Sequence, residues 1–244
     1  MAIGRISLWR FLGLLGWMSA FSAQAQIFPV PTNQVVPATV EVESEEVDGY
    51  TARRMLITAG DLRLAGPPPR PWTFYSGEKG ASVNMDLPYN AEVSCALYLM
   101  PEGALVPGSL AQSIRAYASA LEAKPGVKAE FVRDEETKAV RIDPPAKKQV
   151  REFYNGDGEV IAKRERVNYP HIFGQRFYEI DYVLYPGSER EVAIGEFWFN
   201  LGEYQALVLL KCPKAEFEKM ATMLRNNLKG FYVEDATSGD VSMN

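Results

Sequence analysis

The stretch that decides the fold is residues 206–231, "ALVLLKCPKAEFEKMATMLRNNLKGF". Its first part is an apolar strand, in which alternate residues such as Leu210 and Cys212 share a face while Lys211 points the other way. Pro213 follows at once and suits the first position of a helix, where its missing N–H is no loss. The stretch therefore predicts a strand that leads directly into a helix packed on the same sheet.

The second part of this stretch is an amphipathic helix. Gly230 suits its C-terminal end, and Glu218 near the start and Arg225 near the end agree with the helix dipole. One apolar stripe recurs at helical spacing and consists of Phe217, Met220, Ala221, Leu224 and Leu228. This stripe predicts the side of the helix that faces the core.

Upstream, short apolar strands alternate with turns. The segments 93–100 and 176–185 each place apolar side chains at alternate positions, and a helical pattern opens at Ser109 between them. The segment 190–200 has apolar residues on both faces, which is typical of a strand covered on both sides. Strands, a helix, a meander and a closing helix predict an α+β protein. We expect a mainly antiparallel sheet covered by helices, an α/β/α sandwich, with an additional N-terminal hairpin.

This element order, together with the strand–Pro–helix ending, resembles the PsbP-like fold of photosystem II extrinsic proteins and of a Ran-binding protein family. The resemblance spans residues 72–233. It implies an α/β/α sandwich and a role as a binding or assembly factor rather than a catalyst. No functional residue of that family has a counterpart motif in this chain.

The N-terminal region predicts export. Residues 1–25 combine Arg5 and Arg10 with a short apolar run and a small-x-small ending at Ala23 and Ala25, which is typical of a signal peptide. We expect a Pro-containing tether at 26–38, a hairpin with a Pro-rich connector at 39–71, the α+β domain at 72–233 and a polar tail at 234–244. The mature protein is then periplasmic or extracellular, and no transmembrane helix remains after signal cleavage.

Charge and composition exclude several classes of function. The chain has 26 Lys and Arg against 31 Asp and Glu, and loss of Arg5 and Arg10 with the leader leaves 24 against 31, a net charge of −7. Such acidity does not favour nucleic acid as a partner. His171 is the single histidine and no cysteine pair has ligand spacing, so we expect neither a metal nor a cofactor.

The two cysteines are predicted to be structural. Cys95 and Cys212 both lie on the apolar face of their strands, and the exported compartment permits oxidation. We expect a Cys95–Cys212 disulfide, with two buried thiols as the alternative. A nucleophilic Cys212 would need an accessible thiolate, and this is not favoured because Cys212 lies on the face of its strand that points into the core.

The segment "YPHIFG", residues 169–174, carries the candidate partner contact. Tyr169, His171, Ile172 and Phe173 lie in a predicted hairpin loop, where apolar side chains either fold back over the sheet edge or contact a partner. The fold-back interpretation is the favoured one.

The leading functional hypothesis is an exported, non-enzymatic binding or assembly module with a protein partner. A secreted hydrolase that uses Cys212 or a carboxylate pair formed only on folding is the alternative. A carrier of a small apolar ligand is the third hypothesis. A polar cleft with convergent carboxylates would favour the hydrolase, and a closed apolar cavity would favour the carrier.

Overall fold

The computed structural model describes residue 30 and residues 32–47, 50–77, 80–104, 109–144 and 147–234. The predicted signal peptide, most of the tail and the turn at Asp48–Gly49 lie outside the described residues. Of the predicted tether, residues 32–34 form a single 3-10 turn and residues 35–38 are extended.

Two antiparallel sheets make the body of the protein. The first has four strands, in the order β1–β2–β3–β15. Its members are β1 (Thr39–Val47), β2 (Tyr50–Ala59), β3 (Leu62–Gly66) and β15 (Tyr232–Val233). The predicted N-terminal hairpin is the β1–β2 pair, and β15, near the described C-terminal end of the chain, completes its sheet.

The second sheet has seven strands, in the order β4–β5–β6–β14–β13–β12–β7. Its members are β4 (Thr73–Ser76), β5 (Val83–Leu87), β6 (Asn90–Pro101), β7 (Val127–Lys128), β12 (Tyr178–Leu184), β13 (Val192–Leu201) and β14 (Tyr204–Cys212). The strands β13 and β14 lie at its centre and are buried on both faces. Near-continuous apolar sequence is what such a doubly covered strand requires.

Each face of the seven-stranded sheet carries one helix. Helix α1 (Leu110–Glu122) lies on the face that bears Trp198, and the rings of Tyr117 and Trp198 meet edge to face at 6.2 Å. Helix α2 (Phe217–Leu228) begins after a 3-10 turn at Lys214–Glu216 and lies on the opposite face. Its predicted stripe is buried in full.

Gly195 in β13 lies against the first residue of α2. A Cβ at this position would lie 3.0 Å from the Phe217 ring, so the ring would have to move by a few tenths of an ångström to accept a larger residue. The apolar face of the four-stranded sheet, including Ile57 and Leu64, belongs to the same core cluster as the α2 stripe.

The fold class needs one correction. The protein is α+β and mainly antiparallel, as predicted, but it is richer in sheet than an α/β/α sandwich. The α2 side of the large sheet is shared with the four-stranded sheet because the N-terminal strands pack into the common core rather than standing apart.

Two further strand pairs belong to neither sheet. One is the small hairpin of β10 (His171–Ile172) and β11 (Gln175–Arg176). The other is a long hairpin of β8 (Lys147–Tyr154) and β9 (Val160–Asn168), which pairs with no other strand among the described residues. We call the β8–β9 pair the ribbon.

Candidate functional site

The described side chains of the ribbon contribute nothing to the core. None of its described side chains is buried, and Val150 and Ile161 are 57% and 65% exposed. Its turn is closed by Asn155, whose N–H donates to the Glu159 carbonyl at 2.9 Å and whose Oδ1 accepts from the Asp157 N–H at 3.0 Å. The sequence "NGDG" at residues 155–158 predicts a hairpin turn, and this turn is present. The ribbon is held by its own strand pairing.

Cross-strand register assigns the ribbon residues to two faces. Arg151 pairs with Arg164 and Gln149 with Arg166, so these side chains share one face. We call this the arginine face, defined as Gln149, Arg151, Phe153, Ala162, Arg164 and Arg166. It contains no acidic residue. Within the part of the chain that the structure describes, no carboxylate lies within ion-pair distance of its three arginines.

The opposite face of the ribbon has balanced charge. Lys148 pairs with Glu165 at 3.2 Å, and Lys163 pairs with Glu152 at 2.6 Å. The Tyr154 hydroxyl also donates to Glu152, and these two contacts lower the pKa of this carboxyl, the lysine having the larger effect. The ribbon therefore separates its charges: the ion pairs lie on one face, and the arginines that have no partner among the described residues lie on the other.

The arginine face is also concave. A groove of about 630 Å³ is lined by Gln149, Arg151, Phe153, Arg164 and Arg166 of this face, and also by Glu165, whose carboxylate pairs with Lys148 of the opposite face. The Arg151 guanidinium lies 5.5 Å from the Phe153 ring centre, a cation–π distance. Arg151 and Arg164 lie directly opposite one another, an arrangement of like charges that destabilises a strand pair. The described side chains of the ribbon bury no apolar surface that would offset this repulsion.

The loop that carries the candidate partner contact is divided between core and surface. Ile172 and Phe173 are fully buried, with Phe173 stacked on Phe199 and edge to face with Phe231. Phe173 and Gly174 both have positive φ, at 51° and 74°, as the two-residue turn of a β-hairpin requires. Ile172 and Phe173 therefore fold back into the core of the protein.

Tyr169 and His171 remain at the surface. Tyr169 is 44% exposed and its ring lies 4.3 Å from the Arg176 guanidinium. Both residues line a shallow groove of about 290 Å³ beside α2, together with Arg225 and Lys229. Asn168, the last residue of β9, also lines this groove, so the surface half of the loop adjoins the base of the ribbon.

The predicted Cys95–Cys212 disulfide is not present, because both cysteines are free and buried. They lie on the same face of adjacent strands, but Cys95 is opposite Leu210 and is therefore offset by two residues from Cys212. A diagonal offset of this kind separates Cα atoms by about 7–8 Å, beyond the usual disulfide range. The alternative of two buried thiols is the arrangement found.

Neither thiol is activated. Burial raises the pKa of Cys95 well above its usual range and that of Cys212 to about 12. Reactive cysteines need a lowered pKa and access to solvent. The structure therefore gives no support to Cys212 as a nucleophile.

A buried carboxylate forms a second polar cluster. Glu196 on β13 is fully buried and accepts hydrogen bonds from the Tyr182 hydroxyl at 2.7 Å, the Tyr117 hydroxyl at 3.0 Å and Trp198 Nε1 at 3.0 Å. Burial raises the pKa of Glu196 to about 7, and the three donors limit the rise by stabilising the charged form. The cluster joins α1 to the sheet through hydrogen bonds of Tyr117 and Tyr182 to Glu196, which indicates a structural role.

A third feature is a groove of about 360 Å³ between β12 and α2, which includes Asp181, Glu218 and Lys214. Desolvation first, and then the charge of Glu179, raises the pKa of Asp181 to about 8. Asp181 is nonetheless an exposed residue. Glu179 is itself paired with Arg225. Among the described residues no group of three or more His, Cys, Asp or Glu is placed to hold a metal ion.

The sequence matches no family model and no curated relative. Among solved structures, the solution structure of cyanobacterial PsbP from Synechocystis sp. PCC 6803 is similar at a TM-score of 0.37, with 10% identity, over 81% of this chain and 94% of that chain. The chain therefore has a weak resemblance to the PsbP-like fold. No helix in the described part of the chain is long and apolar enough to cross a membrane.

Sequence reasoning missed the arginine face because "KRER" at 163–166 alternates between two faces of a strand. The short basic run predicts only an exposed, charged strand. The register of β8 against β9 brings Arg151 beside Arg164 and sends Lys163 to the other face. The alternation R-x-R at 164–166 was the available signal, but it required the turn at 155–158 to be positioned first.

Proposed function

We propose that this protein is an exported, non-enzymatic binding module that docks a partner protein through the arginine face of the ribbon. The observation that supports the proposal is the separation of charge on the ribbon. Three arginines that have no ion-pair partner among the described residues line a groove on one face, while Lys148 and Lys163 of the other face are neutralised. An acidic chain has no evident folding reason to collect unpaired cations on an element outside its core.

The site is suited to binding rather than to catalysis. Arginine offers a planar fork of donors that fits carboxylates, and its guanidinium loses less hydration energy than an ammonium when a partner covers it. The arginine face contains neither a nucleophile nor an acid–base pair. Tyr169 and His171, at the base of the ribbon, extend the proposed contact surface, whereas Ile172 and Phe173 do not because they belong to the core.

Export is part of the proposal and rests on the signal-peptide pattern of residues 1–25. N-terminal sequencing of the exported protein tests it, and we expect the mature chain to begin at Gln26. A chain that retains Met1 in a membrane fraction would contradict export.

Cross-linking and affinity capture in the exported fraction of the source cells test the docking function. The bait is the mature protein, either as wild type or as the variant Arg164→Gln/Arg166→Gln. The matched control is Lys148→Gln/Lys163→Gln, which removes cations from the other face of the same strands. We expect the arginine variant to lose a protein that both wild type and control retain. Capture of the same proteins by all three baits would refute the proposal.

A further inference from the structure

The spacing and chemistry of the arginine face go beyond the existence of a docking site and indicate what it binds. We propose that it binds an extended acidic segment of a partner protein, with carboxylates at alternate residues. This inference rests on the proposed function and adds the class of partner to it.

The spacing of the arginines along β9 matches that of an extended acidic segment. Arg164 and Arg166 are two residues apart on β9 and lie on one face. Each strand residue rises by about 3.3–3.4 Å, so the two side chains repeat at roughly 6.7 Å along the strand. An extended segment with a carboxylate at every second residue has the same repeat, so successive carboxylates meet successive arginines without a change in conformation.

The pairing of β8 with β9 places arginines on both sides of the groove. Arg151 lies directly across from Arg164, so the face has two rows of cations rather than one. A carboxylate between the rows contacts both guanidinium groups and removes their mutual repulsion. Charge-assisted, bidentate contacts of this kind are stronger than neutral hydrogen bonds. The Phe153 ring beside Arg151 provides an apolar wall that shields the contact from water.

The tip of the ribbon argues against other polyanions. Asp157 and Glu159 are exposed at the turn, where an anionic bilayer or a nucleic-acid backbone would meet them first and be repelled. A narrow acidic segment lying in the groove avoids the tip.

A second copy of this chain is a weaker candidate for the partner. Its edge strand β1 carries Glu41 and Glu43 at alternate positions, which is the required pattern. However, Glu43 already accepts from Arg54 Nε at 2.8 Å within its own sheet. Docking of β1 would have to break or share this ion pair, whereas a segment from another protein would not.

The test uses synthetic peptides as probes, matched in length to the 8 residues of β8. One peptide alternates Glu and Thr. Its isomer has the same composition, with all Glu in one half, and therefore the same net charge. Both carry a fluorophore, and anisotropy titration with the mature protein gives their dissociation constants. We expect the alternating peptide to bind about fivefold more tightly than the isomer, and to weaken by about tenfold as salt rises from about 50 mM to about 500 mM.

Variants locate the site. Arg164→Gln/Arg166→Gln is expected to weaken binding of the alternating peptide by about tenfold. Lys148→Gln/Lys163→Gln removes the same charge from the other face and is expected to change binding by less than about twofold. Circular dichroism and thermal melting of each variant confirm that the fold is intact, which two exposed substitutions on a hairpin outside the core should preserve.

Four outcomes would overturn the inference. Equal affinity for the two peptides would refute the alternating spacing, and equal losses in the two variants would refute the arginine face. Binding to phosphatidylglycerol vesicles without binding to either peptide would indicate a membrane instead. A concentration-dependent dimer, abolished by Arg164→Gln/Arg166→Gln, would indicate a second copy.

The two proposals fail in different ways. If capture from the exported fraction depends on the arginine face but the peptides do not bind, the docking function stands and the acidic-segment inference is wrong. If the peptides bind as expected but capture is unchanged in the arginine variant, the proposed docking function is wrong.

Discussion

The seven-stranded sheet and the ribbon are both antiparallel, yet they are stabilised in different ways. In β13 nearly every residue is buried, and helices cover both faces of the sheet. In the ribbon no described side chain is buried, and the two strands depend on their own hydrogen bonds and cross-strand pairs. Burial stabilises the sheet strongly, and most substitutions of its buried residues would lower the stability of the protein. The exposed ribbon can carry charged side chains that serve binding rather than stability.

The largest effect that we predict comes from the buried half of the "YPHIFG" loop. Phe173 is 1% exposed and contacts Phe199 and Phe231. We expect Phe173→Ser to lower the free energy of unfolding by about 3–5 kcal/mol, because it leaves a cavity and buries a hydroxyl. Urea denaturation measures this loss. The control is Tyr169→Ser at the exposed end of the same loop, which should change stability far less. A near-wild-type midpoint for Phe173→Ser would place this residue outside the core.

Helix α2 provides the next test of the core. Leu224 is fully buried in the centre of its stripe, and we expect Leu224→Ala to cost about 2–5 kcal/mol in urea denaturation. Thr222→Ala on the exposed face of the same helix should stay within about 0.5 kcal/mol of wild type. Val150→Ala in the ribbon should also have a small effect. A loss at Val150 as large as that at Leu224 would remove the distinction between sheet and ribbon.

The Glu196 cluster predicts a pH dependence. Because the pKa of Glu196 is raised from 4.5 to about 7 in the folded protein, the folded state holds a proton that the unfolded state has released between these values. The stability due to this group is therefore complete below about pH 4.5 and is lost as pH rises towards 7. The loss should amount to roughly 1–3 kcal/mol relative to Glu196→Gln, which does not titrate.

Urea curves for both proteins at several pH values in this range measure the difference. Asp181, whose pKa is also raised, contributes the same trend to both proteins, and most of it cancels in the comparison because Glu196 is the smallest of the causes that raise it. Parallel pH profiles for wild type and Glu196→Gln would show that Glu196 is not the titrating group.

The smallest effect concerns the two faces of the ribbon. Arg164→Gln removes the repulsion with Arg151 and should raise the stability of the free protein slightly, by a few tenths of a kcal/mol. Lys163→Gln removes the ion pair with Glu152 and should be neutral or lower it by a similar amount. Thermal melting at low salt compares the two. A destabilising Arg164→Gln would mean that this arginine has an intramolecular partner, and the argument from unpaired charge would fail.

The prediction from sequence was most successful where one local pattern sufficed. The stripe of α2, the passage from β14 to the closing helix and the turn at residues 155–158 each depend on spacing within a single segment. The errors arose where two segments had to be placed together. The missing Cys95–Cys212 disulfide follows from a two-residue offset between β6 and β14, which the inward phase of each cysteine could not reveal.

By itself, the sequence determined the α+β class, the antiparallel pattern and the inward faces of the core strands, because side-chain periodicity follows directly from strand and helix geometry. Only the tertiary structure decided that the N-terminal strands share the core, that Phe173 is buried while Tyr169 is not, and that Arg151, Arg164 and Arg166 line one groove. The physical reason is that register and packing depend on pairs of residues distant in sequence. A shift of one residue between β8 and β9 would send Arg164 to the other side of the ribbon from Arg151.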